Sequence, residues 1–312
     1  MLVNGICWHR GTPPEYSETQ QIMTTAPSHL IDSGRAVLEQ LGGIALDFVE
    51  LDPAAPAIAE NTLANRSGID PTRDLVSIPG VWLHLQLRLH AAREHLVSSL
   101  YLTGLAPGRA VVNPATTLAR SAVEASAVIL WLCSNTITWE ERLRRGSQLH
   151  LTSAFNCLKA MGIDPRNPPD PSTVDQDIMI SIAECNTLID WVRAQGWTCR
   201  RGKQQGKAPT ISTWVREVPA YSDLMDDASA VGALPPKMLR QLYATYSRSV
   251  HTDPVTVISG PSEAELARMA SAHGAIATAV AIYGIAWMQF ASWCSVPSPD
   301  GARENIIAVL RE

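Results

Sequence analysis

Residues 110–133 read AVVNPATTLARSAVEASAVILWLC, and their only charged members are Arg120 and Glu124. Apolar side chains fall on nearly every face of this segment, the mark of a helix enclosed in a core. Arg and Glu are rarely buried unless paired, and an i,i+4 spacing lets these two reach each other on one face. A buried ion pair adds little stability once desolvation is counted, so the pair also marks a candidate site.

Helical periodicity extends in both directions. Residues 81–102 alternate Leu83, Leu87 and Leu89 with His84, Arg88, His90, Arg93 and His95. Residues 139–161 open with Glu140 and Glu141 behind a capping Ser134 or Thr138, as a helix N-terminus prefers. Helices are also expected over 172–195, 235–250, 262–294 and 302–311. Between Arg268 and Asp300 no Asp, Glu, Lys or Arg occurs, and 274–294 are long enough to span a bilayer. An Ala-rich composition and ends without Lys/Arg flanks favour a central bundle helix over a membrane span.

Residues 196–211 (GWTCRRGKQQGKAPTI) differ in kind: two internal glycines and the charges of Arg200, Arg201, Lys203 and Lys207 suggest a basic loop or hairpin. The fold class expected is therefore all-α, a multi-helix bundle with a small basic loop or hairpin near residues 196–211. Residues 1–77 read as an irregular and partly helical wrap, with helices near 33–50 and 52–64, and residues 78–312 as the bundle domain.

With 312 residues, 46% of them hydrophobic, the chain has ample material for a core. A net charge of -5 gives no global attraction for nucleic acid or an anionic membrane. Cys7, Cys133, Cys157, Cys185, Cys199 and Cys294 lack metal-ligand spacing, so neither a disulfide framework nor a structural zinc is expected. On a helix His84 and His95 share a face while His90 turns away, which argues against a metal site. Without a Walker or dinucleotide fingerprint no cofactor is expected. The first residues lack a long apolar run, so a cytoplasmic location is the default expectation.

Three constellations carry chemistry. Arg120 and Glu124 form the first. In the second, Arg240, Tyr243, Ser247 and His251 follow one helical face, with Tyr246 beside them. His251 with Glu124 or a tyrosine suits general acid–base work, and a Ser one turn before a His suits base activation of a hydroxyl. The third is ERLRRG, where Arg142 and Arg145 lie one turn apart and could clamp an anion.

ARSAVEASAVILWLC, ERLRRG and YSRSVHTDP together resemble a set of uncharacterised actinobacterial all-helical proteins over roughly residues 100–254. That resemblance implicates Arg120, Glu124, Arg142, Arg145, His251 and a Tyr/Ser combination. More distantly, a bundle with an Arg and a His on one late helix is similar to HEPN ribonucleases. Here Arg240 and Arg248 both stand at other distances from His251 than that motif uses, so this likeness implies a fold and not a ribonuclease.

Three functions follow as expectations. The favoured one is an enzyme of secondary metabolism, using cofactor-independent acid–base or transfer chemistry. In it Arg120, Arg142, Arg145 and Arg240 bind a small anionic molecule, and Glu124, Tyr243, Tyr246, Ser247 and His251 act on it. The first alternative is an RNA- or tRNA-directed protein contacting phosphates through Arg200, Arg201, Lys203 and Lys207. The second is a non-catalytic scaffold or regulatory homodimer, with the Ala-rich helix as its dimer interface.

Overall fold

The computed structural model describes residues 18–42, 47–67, 77–105, 112–165, 167–196, 199–202, 210–213, 240 and 263–309. Among them are eight α-helices: α1 (Glu18–Leu41), α2 (Pro56–Arg66), α3 (Ile78–Leu105), α4 (Val112–Leu132), α5 (Trp139–Ala160), α6 (Gln176–Ala194), α7 (Glu263–Trp293) and α8 (Ala302–Val309). Two short strands, β1 (Cys199–Gly202) and β2 (Thr210–Thr213), pair antiparallel with Arg200 opposite Ser212 and Arg201 opposite Ile211. The fold is an all-α multi-helix bundle with the hairpin appended to it.

Local chemistry explains the boundaries. Thr138 caps α5 by accepting from the Glu141 amide (3.3 Å), with Glu140 and Glu141 complementing the first turn. At the other end Gly162 adopts a left-handed φ of 75°. That conformation lets the Gly162 amide reach Lys159 O and the Ile163 amide reach Leu158 O, both at 2.9 Å, which closes the helix.

The bundle is organised around α3, α4 and α7. Ser99 Oγ donates to Ala115 O (2.8 Å), tying the end of α3 to the start of α4. The Trp82 ring lies 6.5 Å from that of Phe290, tying the start of α3 to the end of α7. Gln289 Nε2 donates to Cys133 O (2.8 Å). Thus α3 runs antiparallel to both partners, and α4 and α7 run parallel with their C-terminal ends together.

The N-terminal segment packs on the bundle and shares its interior: Leu30, Leu38, Leu41, Phe48, Leu51 and Ala57 belong to the same apolar core as α3, α4 and α7. The Ala-rich helix α7 lies within the bundle. It is long and apolar enough to span a bilayer, but Ala275, Ala279, Ala281, Ala286 and Ala291 are buried inside the bundle. Small side chains there serve close contact: a Cβ on Gly284 would lie 2.5 Å from Ile306 Cδ1 of α8.

A second, smaller core was not anticipated. Leu151, Phe155 and Leu158 from the far half of α5 pack with Ile182, Cys185, Leu188, Ile189 and Val192 of α6. Helix α5 therefore bridges two cores, because its near half contributes Leu143 and Leu149 to the main one.

Candidate functional site

Arg142 sits in the first turn of α5, where the helix starts against the end of α4. Its side chain is almost wholly buried, at 3% exposure. Nε donates to Glu60 Oε2 (2.8 Å) and Nη2 to Glu60 Oε1 (3.2 Å), a two-pronged pairing with α2. Nη1 donates to Leu132 O, and Nη2 also reaches Ser134 O at 3.4 Å. The guanidinium lies 4.8 Å from the centre of the Trp293 ring, and Trp293 Nε1 donates to Glu60 Oε2 (3.2 Å). One cation thus joins α2, α4, α5 and α7. Burial pushes the adjacent Cys133 thiol upward, although the Arg142 charge opposes that rise, so Cys133 stays a neutral packing group.

Arg145 repeats the arrangement one turn on. Nη1 donates to Trp131 O (2.6 Å), Nε to Glu141 Oε1 (2.7 Å), and the cation stands 4.9 Å over the Trp131 ring. Burial alone would raise the Glu141 carboxyl, but hydrogen bonds from Arg144 and Arg145 win and hold it below the usual range. Both arginines therefore meet the last carbonyls of α4, where a helix carries partial negative charge.

Arg120 and Glu124 do pair, Nε to Oε1 at 2.9 Å, and each side chain is 23% exposed. The pair is half-buried at the flank of α4 rather than sealed in the core. Trp131, which receives Arg145, lies two helical turns past Glu124, roughly 10 Å along the axis. Arg142 and Arg145 are thus not brought onto Glu124; they clasp the helix end beyond it. The donors named for these two arginines face protein acceptors: Glu60, Leu132 O and Ser134 O for Arg142, and Glu141 and Trp131 O for Arg145.

The remaining candidates fall elsewhere. Arg240 is helical and exposed. Tyr243, Tyr246, Ser247 and His251 lie outside the described residues, as do Lys203 and Lys207. Arg200 and Arg201 occupy β1, described for its backbone register only.

Several interacting residues escaped sequence reasoning. Glu60 is 82 positions from Arg142, and no local pattern announces such a partner. His84 Nε2 accepts from Arg88 Nε (2.8 Å). Burial, then the nearby charges of Arg88 and His150, lower His84 to about 4. Burial also lowers His150, against a raising influence from Glu184 of α6. The i,i+4 spacing of His84 and Arg88 was the available signal. His90 instead pairs with Glu94 at 3.3 Å, both largely exposed. Among the described residues no three His, Cys, Asp or Glu side chains gather as a metal site would require.

No protein-family model matches this chain, and no curated protein or solved structure matches it either.

Proposed function

We propose that the chain acts as a non-catalytic helical scaffold, its arginine-rich segment serving as an internal clasp. The observation that carries this reading is the saturation of Arg142, whose donors meet Glu60, Leu132 O and Ser134 O while its face covers Trp293. A cation held this way fixes helix register. Removing one partner of a buried pair leaves the other charge uncompensated, at a cost of roughly 3–5 kcal/mol. Glu60→Gln and Arg142→Gln are expected to lose stability on that scale in urea unfolding. Arg120→Gln, at a half-exposed pair, is expected to lose less than about 1 kcal/mol. Unchanged unfolding midpoints for both clasp variants would remove the clasp.

A second reading keeps the enzyme, with Arg120 and Glu124 as its anion-binding and proton-handling groups and Tyr243, Tyr246, Ser247 and His251 as partners. The 2.9 Å pairing at partial exposure supports it, since that pair, unlike Arg142, is open to a solute. Inorganic phosphate and citrate are the probes. The scaffold reading expects no anion-dependent rise in melting temperature. A rise that disappears in Arg120→Gln would sink the scaffold and favour the enzyme.

A further inference from the structure

Helix α3 is apolar on two faces. One buries Val81, Leu85, Leu89, Ala92, Leu96 and Leu100 in the main core. The other leaves Leu83 (45%), Leu87 (61%), Val97 (46%) and Tyr101 (56%) exposed. Between these two apolar ends stand His90 and Glu94, side chains 68% and 67% exposed and paired at 3.3 Å. Leu83, Leu87, His90, Glu94, Val97 and Tyr101 follow one another by alternating steps of four and three residues. That alternation is the seam of a coiled coil, running about 27 Å along the helix.

From these positions we infer that α3 is the interface of a homodimer, in which two copies of the helix pack antiparallel about a two-fold axis level with Ala92. This deepens the scaffold reading by naming its partner. The order of steps is the same read from either end, which is what an isologous contact demands: if one residue meets a second, the second must meet the first. Placed on that axis, Leu83 meets the partner's Tyr101, Leu87 meets the partner's Val97, and His90 meets the partner's Glu94. Every apolar side chain faces an apolar one, and the polar pair at the centre finds its complement across the axis.

The alternatives fit less well. A parallel pairing in register would stack His90 on His90 and Glu94 on Glu94, setting like groups together where repulsion is costly. A lipid surface would have to take up a carboxylate and an imidazole at the middle of the stripe, which hydrocarbon penalises. A neutral imidazole still offers one N–H to a carboxylate, so the central contact needs no particular protonation state. Ala91 and Ser98, small and exposed beside the seam, allow the two backbones to approach.

The test is the mass of the full chain by sedimentation over about 1 to 100 µM, the range of a modest interface. The wild type is expected to dimerise. Leu87→Lys with Val97→Lys places like charges in two layers and is expected to weaken association roughly a hundredfold, with circular dichroism unchanged. Ile180→Lys, at an apolar side chain of α6 exposed to 49%, is expected to leave association intact. His90→Glu and Glu94→Lys should each weaken the dimer, and the two together should restore it.

Orientation is read by mixing a Leu87→Cys chain with a Val97→Cys chain, Cys7, Cys157 and Cys199 being serine in both. A short bis-maleimide should link only the mixture; linking of Leu87→Cys to itself would overturn the antiparallel pairing. A wild type that stays monomeric, or a dimer indifferent to the lysine pair, would overturn the interface. So would a monomer whose Leu87→Cys thiol resists labelling, because a segment of the same chain would then cover the stripe. These outcomes separate from the fate of the scaffold reading: an Arg120-dependent anion response in an intact dimer removes the scaffold alone, and a monomer without that response removes the dimer alone.

Discussion

His84 shows how one side chain converts packing into a pH response. Burial and the neighbouring positive charges of Arg88 and His150 bring it to about 4 in the folded chain, against 6.5 for a free histidine. The unfolded chain therefore takes up a proton at a higher pH than the folded one. The stability tied to neutral His84 is complete above pH 6.5 and is lost as pH falls from there toward 4. His150 and His273 are lowered by burial in the same sense, so the effects add. Because His84 is partly exposed, its own share is discounted to the order of 2 kcal/mol. Urea midpoints at pH 7 and pH 4.5 check this: the wild type should lose stability on acidification, and His84→Asn should lose distinctly less. An equal loss in both would remove His84 as the source. Sequence reasoning saw this histidine only as a metal candidate to be rejected, since its partner on α5 depends on how the helices cross.

At the scale of elements, legibility followed the unbroken apolar runs. The expected 110–133, 139–161 and 262–294 became Val112–Leu132, Trp139–Ala160 and Glu263–Trp293, because each carries strong apolar patterning and the second an evident cap. Helix α1 was read only in its second half. Its first half contains Pro27 and several Ser and Thr, poor helix formers whose propensity is overridden in the folded chain. Close helix crossings are equally silent in sequence. A Cβ at Gly146 of α5 would stand 2.5 Å from Val81 Cγ2 of α3, and a β-branched valine cannot easily turn away. Gly146→Ala gains roughly 1 kcal/mol of helix propensity, but overpacking costs about 1–3 kcal/mol, so a net fall in melting temperature is expected. Gly274→Ala in α7, where nothing lies within 4 Å of the added carbon, should raise it. Val81→Ala combined with Gly146→Ala should recover part of the loss; the absence of any recovery would show that the crossing is not the cause.

Across the whole molecule, the Arg120–Glu124 pair was legible because an i,i+4 contact is written into one helix. Arg142 and Glu60 were not, because their meeting requires the assembled bundle. The same holds for the division into two cores, which falls within α5. Leu149 belongs to the main core and Leu151 to the smaller one, two residues apart on one continuous helix. A helix can carry such a division when its far half packs against a neighbour that gives no side chain to the main core, here α6. Among the described residues the smaller core rests on eight buried side chains, too few to unfold only with the rest, so it should open at a lower free energy than the bundle. Leu158→Ala empties a fully buried position and should cost about 2–5 kcal/mol locally. By hydrogen exchange, amides of α6 are then expected to exchange much faster while those of α4 and α7 keep their wild-type protection. If α4 and α7 lose protection in equal measure, the two cores unfold as one, and the bridge through α5 transmits stability rather than dividing it.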